Sequence, residues 1–153
     1  MASWEEFREA APELAEFGWG LLYRLGDGIG LLASVRAADG GPRVHPVCVT
    51  MADGRLHLSI PRRSPKNADL RADPRYMLHA FPADEDAEFS VRGTARLAVG
   101  AERESVAAAA TFATGVREDE DVFVLDIERA DSTTWLNWNT PQTSPVRRRW
   151  VAS

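Results

Sequence analysis

The sequence predicts a mainly β protein, a small antiparallel barrel of six strands with helices packed against its outside. Three observations carry that expectation. From Ile29 onward, short apolar runs alternate with turn signals at hairpin spacing. Asp53-Gly54, the pair that a two-residue hairpin favours, stands between two such runs. The runs are joined mainly by hairpins, with one short helical stretch between the third and the fourth. Closure into a barrel removes the exposed edges that so many strands otherwise leave.

Residues 1–26 form an N-terminal helical segment. Trp4, Phe7, Ala11, Leu14 and Phe17 fall near helical spacing, with glutamates between them and a restart at Pro12. Ser3 and Glu6 have the spacing of a capping box. Strands follow at Ile29 to Val35, Arg43 to Thr50 and Arg55 to Ile60. Pro46 inside the second predicts an edge, a bulge, or a place where something other than a strand meets the backbone. Ser64 to Ala72 is a short helix with Ser64 as N-cap, Pro65 in its first turn and Asp73-Pro74 as its stop.

Arg75 to Phe81 is the fourth strand. An acidic turn at Asp84-Glu85-Asp86 leads into Glu88 to Val99, where Gly93 marks a bend or bulge. Glu102 to Phe112 is helical and Val122 to Ile127 is the last clear strand. In the tail, 131–153, Thr133, Thr134, Trp135 and Trp138 favour strand while Pro141 and Pro145 break it. Without an internal repeat or a low-complexity linker, 1–153 is expected to be a single domain.

The chain has 153 residues, 44% of them apolar, enough for a core of its own. It contains no apolar run of membrane-spanning length and no charged-then-apolar leader, so a cytoplasmic protein without membrane contact is expected. The single cysteine, Cys48, excludes an internal disulfide and is expected to be a small buried hydrophobe. Formal net charge is -5, yet Arg43 opens a strand, and Arg62, Arg63 and Lys66, the only lysine, cluster at a helix N-terminus. Positive charge gathered beside unpaired helix N–H groups suits an anion. On an acidic chain it points to a specific acidic ligand and away from nucleic acid. His45, His57 and His79 stand on separate strands with no ligand-spaced partners, so no metal is expected. Gly26, Gly28 and Gly30 lead into a strand, which excludes a dinucleotide-binding loop.

The order of elements and the text Gly40-Gly-Pro-Arg-Val-His-Pro-Val47, Gly54-Arg-Leu-His-Leu-Ser59, Ser64-Pro-Lys-Asn-Ala-Asp-Leu-Arg-Ala-Asp-Pro74, Tyr76-Met-Leu-His-Ala-Phe81 and Val91-Arg-Gly-Thr-Ala95 resemble the pyridoxamine 5′-phosphate oxidase-like proteins, the flavin-binding split barrels. The resemblance covers Gly28 to Val99. It implies a homodimer with FMN, or in one branch the deazaflavin coenzyme F-420, at the subunit interface, and an oxidoreductase acting on a small-molecule substrate. It implies that Arg43 and Lys66 hold the cofactor phosphate, that Ser59 and Ser64 donate hydroxyls to it, and that Val44, His45, Pro46 and Val47 run along the ring. Asn67 lies in the same helix-start motif. Trp135 and Trp138 are candidates to lie over the ring, of this subunit or of its partner. In the deazaflavin branch, Arg62, Arg63, Arg71 and Arg75 would track a polyanionic tail. A non-catalytic flavin-binding protein would use the same residues. The C-terminal Arg147-Arg-Arg-Trp-Val-Ala-Ser153 replaces the oxidases' closing motif, and Cys48 stands where they tend to carry a basic residue, which points away from pyridoxamine phosphate as substrate.

Overall fold

The computed structural model describes residues 1–153. Its strands are β1 (Gly28–Val35), β2 (Pro42–Ala52), β3 (Arg55–Pro61), β4 (Arg75–His79), β5 (Glu88–Leu97), β6 (Glu120–Leu136) and β7 (Ser144–Val151). Its helices are α1 (Trp4–Ala10), α2 (Pro12–Leu22), α3 (Pro65–Ala72) and α4 (Ala101–Ala109). All strand pairings are antiparallel, in the order β3-β2-β1-β4-β5-β6-β7. A further β3–β6 pairing closes the first six into a barrel, with β7 added outside on β6. No helix is long and apolar enough to cross a membrane.

Local sequence accounts for each turning point. Ser3 and Glu6 form the reciprocal capping box of α1. Asp53 and Gly54 both adopt left-handed backbone, at φ 48° and 67°, as a two-residue hairpin requires. At Gly93 the β5–β6 register shifts, because Glu128 is extra on β6. A Cβ at position 93 would collide with the Asp126 carbonyl, so only glycine fits.

The C-terminal region is more regular than its prolines suggest. β6 continues unbroken past Ile127 to Leu136, and residues 131–153 supply the end of that strand and all of β7. Pro141 lies in the connecting turn, and Pro145 lies on β7, an edge strand where a missing N–H is tolerated.

The core fills the barrel and the space beneath α1 and α2. Phe7 and Phe89 stack there at 6.4 Å, among Leu32, Leu56, Leu58 and Leu78. On the outer side, α4 shields a smaller cluster of Ala52, Ala98, Val106, Val122 and Val124. Next to it on β3, His57 is 1% exposed, and neither ring nitrogen has a hydrogen-bond partner.

Burial holds the His57 pKa below the ordinary 6.5, although the Glu102 carboxylate and the nearby Arg55 and Thr50 backbone oppose it. The folded protein therefore keeps this ring neutral, while the unfolded chain protonates it first. His57 stabilises nothing as a cation, so stability is intact above about pH 6.5 and falls as pH drops below it, by at most about 1.4 kcal/mol per pH unit. Urea unfolding of His57→Leu is expected to show a flatter pH dependence than wild type between pH 6.5 and 5. Parallel curves would show that another group sets the slope.

Candidate functional site

The barrel leaves one strand half-paired. β1 covers β2 from Pro42 to Val49, but β3 meets β2 only from Val49 to Ala52. The stretch from Pro42 to Cys48 therefore has a strand on one side only, which explains how Pro46 is accommodated. The Pro46 carbonyl accepts a bond of 3.4 Å from Lys66 Nζ, so it points away from β1. Successive residues alternate their N–H and C=O between the two sides, so Val44 and Cys48 also turn backbone groups toward this opening. The N-terminus of α3 stands beside it.

Arg43 is brought to the same place, where its Nε donates to Asp69 of α3 at 2.6 Å. Asp69 is 2% exposed and also accepts from the Ala37 N–H at 2.9 Å. The Arg43 charge is thus compensated from within the fold, while its Nη groups make no hydrogen bond to protein. His45 and Val47 share the inner side of β2 with Arg43, and Val44, Pro46 and Cys48 face outward.

Lys66 makes no ion pair. Burial lowers its pKa from the ordinary lysine value, and the neighbouring Cys48 works in the opposite direction. The Cys48 thiol is exposed, contrary to the expectation of a buried hydrophobe, because Val47 and Val49 take the inward positions of the alternation. Its pKa is raised by partial burial and by the Asp27 and Glu120 carboxylates, with Lys66 opposing.

Ser59 follows on β3 in the row that continues Cys48. Its Oγ is buried and has no hydrogen-bond partner in the protein. Ser64 is the N-cap residue of α3, yet its side chain caps nothing. Two hydroxyls without a hydrogen bond and one ammonium without an anionic partner therefore stand near the start of a helix, where anions are favoured.

Asn67 has a different position. It is 2% exposed, and its Nδ2 donates to the Ile60 carbonyl and Asp121, at 3.2 Å and 3.0 Å. Its Oδ1 accepts from Arg71 Nε at 2.9 Å. The amide is thus engaged in bracing α3 against β3 and β6. Arg62 and Arg71 both bond Asp121 as well. Burial pulls the Asp121 pKa up, but hydrogen bonds from Arg71, Asn67 and Arg62 outweigh it and leave it below the usual carboxylate value.

Trp135 and Trp138 sit at the β6–β7 end, their rings 6.2 Å apart, with the Trp135 indole N–H donating to the Asp86 carbonyl at 3.2 Å. From Pro46 the outer row passes through Leu31, His79 and Ser90 to Asp131, and Trp135 lies farther along β6. Trp135 and Trp138 thus lie four strands from β2 along the outer row.

Neither a family model nor a curated protein matches the chain. Solved structures do share its fold. One is a heme binding protein from Mycobacterium smegmatis, with a TM-score of 0.63 and 19% identity over 85% of this chain; the chain spans 57% of that protein's length. Another is a pyridoxamine 5′-phosphate oxidase-related, FMN binding protein from Nostoc punctiforme, with a TM-score of 0.57 and 14% identity, covering 95% of this chain and 97% of that one. A third is an F420 reductase, with a TM-score of 0.52 and 20% identity over 67% of this chain and 87% of that one.

Two hydroxyl-or-amide positions separate structural from ligand roles. Asn67→Ala strands the Ile60 carbonyl and the Arg71 guanidinium, and is expected to cost on the order of 1–3 kcal/mol in urea unfolding. Ser64→Ala removes no bond and is expected to leave stability within about 0.5 kcal/mol of wild type. A large loss for Ser64→Ala would show that this hydroxyl belongs to the scaffold.

Proposed function

We propose that this chain, which shares its barrel fold with a pyridoxamine 5′-phosphate oxidase-related, FMN binding protein, is a flavin-dependent oxidoreductase that holds FMN at the β2–α3 cleft and acts on a small molecule. The observation that carries the reading is the uncommitted set beside the unpaired part of β2: the Lys66 ammonium, the buried Ser59 Oγ and the Ser64 hydroxyl. These donors fit a phosphate. Lys66 supplies the charge, and the hydroxyls and helix N–H groups supply direction. Arg43 contributes through its Nη groups while Asp69 fixes its orientation. When bound, FMN supplies the hydride chemistry, and the chain orients it and limits access to one face.

The outer face of β1, β2 and β4 supports a second copy as part of the site. Val44 is 57% exposed and Met77 39% exposed, with Leu31, Ala33 and Pro46 on the same surface. A contiguous apolar face of this kind is uncommon on a monomer and marks an interface. A homodimer formed there would cover this face beside the cleft.

Lys66→Ala is expected to weaken FMN by 1.5–3 kcal/mol, roughly tenfold or more, while riboflavin, which lacks the phosphate, binds almost as before. Fluorescence titration of both ligands checks this, and equal losses would separate Lys66 from the phosphate. Val44→Glu places a charge on the apolar face and is expected to convert a dimer to a monomer in sedimentation. Wild type running as a monomer with FMN present would remove the shared-site arrangement.

A further inference from the structure

Helix α2 presents two stripes. Leu14 and Leu22 enter the core, with Phe17 packed beside them. Pro12, Ala15, Glu16 and Trp19, spaced i, i+3, i+4 and i+7, share another face of the helix. That face forms one wall of a cavity of about 530 Å³, completed by Trp4, Glu5 and Arg8 of α1 and by Met51 and Gly54 of the β2–β3 hairpin. Small-molecule sites span roughly 300–1,000 Å³. The cavity lies at the hairpin end of β2, beyond the Pro42–Cys48 stretch that borders the β2–α3 cleft, and is a separate site.

The aromatic surface here is held ready. Trp19 is 38% exposed, and one face of its indole stacks on Tyr23 at 4.0 Å and 19°. Tyr23 is itself fixed, its hydroxyl donating to the Val49 carbonyl at 3.3 Å and accepting from the Met51 N–H at 3.0 Å. The indole is thus braced from one side, and its other face is left for a ligand. Trp4 borders the same cavity, 6.3 Å from Trp19 and inclined to it by 55°.

The charge around the cavity is negative. Helices α1 and α2 carry five glutamates and one arginine. Arg8 is taken by Glu5, and Glu6 is bound into the Ser3 capping box. The arginines of the neighbouring strands are paired as well: Arg55 with Asp126, Arg148 with Glu13, Arg149 with Asp131. Glu16, in the cavity wall, is exposed and has neither an ion pair nor a hydrogen bond. Indole faces attract cations, more strongly where water is displaced. A primary ammonium has three N–H groups to satisfy and would find one free carboxylate. An alkylated ammonium has none to satisfy, and its methyl groups suit Pro12, Ala15 and Met51.

We propose that this cavity binds an organic cation in which a quaternary ammonium is joined to an apolar body, with Trp19 as its platform and Glu16 as its counter-charge. The proposal is independent of the flavin reading.

The experiment titrates the full-length protein with para-trimethylammoniophenol and with para-tert-butylphenol, which has the same shape and no charge. The indole N–H signals of the five tryptophans are followed by NMR, and Trp19→Phe identifies the Trp19 signal. The cation is expected to shift that signal and to bind about fivefold or more tightly than the neutral compound. Glu16→Gln, a surface change, is expected to weaken the cation about threefold at low salt and less at high salt, leaving the neutral compound unchanged. Equal affinity for the two compounds would overturn the proposal, as would shifts confined to Trp135 and Trp138, or a Glu16→Gln variant indistinguishable from wild type. If Glu16→Lys alters the sedimentation of the unliganded protein, a second copy covers the cavity and the proposal falls.

Discussion

The site depends on how β6 is shared. Its first half pairs with β3 and closes the barrel, and its second half leaves β3 to pair with β7. The division falls at Glu128, where the bulge opposite Gly93 lets β5 follow both halves, and Ala2 bridges Ile127 there from the chain's start. β3 pairs with β6 along Leu56 to Pro61, but on its other edge it pairs with β2 only along Arg55 to Leu58, and beyond Leu58 the two strands part. The remainder of β2 is left with an open side. A barrel that closed around β2 along its full length would have no such opening, and Pro46 would lack a place in it.

Charge is arranged as strictly as the backbone. Most arginines around the cleft have a carboxylate from a distant part of the chain: Asp69 for Arg43, and Asp121 for Arg62 and Arg71. The buried Asp69 and the half-buried Asp121 hold α3 in place, and in doing so they reduce the positive field that the cluster would otherwise produce. Lys66 stands apart, partly desolvated and bonded only to a backbone carbonyl. The one lysine of the chain is therefore a cation without an anionic partner, and desolvation strengthens what it can offer a ligand.

Much of the fold was legible because its signals are local. Ser3 and Glu6, Asp53-Gly54, Pro65 and Gly93 each act within a few residues, and the structure uses them as their chemistry suggests. The C-terminal strands were less legible, since Pro141 and Pro145 look like breakers until β7 is known to be an edge. Cys48 was misjudged on residue type, although the alternation of Val47 and Val49 already placed it outward. The candidate site was legible as a list of donors but not as a charge balance. Arg43 and Asp69 are 26 residues apart, and Arg62 and Asp121 are 59 apart, so nothing local announces either pair. Glu120 and Asp121 come to stand against Arg62 only because β3 pairs with β6.

The account turns on which atoms hold the ligand. A crystal structure of the protein grown with FMN answers that directly. The account predicts the phosphate within hydrogen-bond distance of Lys66 Nζ and the Ser59 and Ser64 hydroxyls, at the N-terminus of α3, with the Asp69–Arg43 and Asp121 pairs retained. An FMN phosphate seated among Arg62, Arg71 and Arg75 with those pairs broken, or one bound away from α3 altogether, would contradict it.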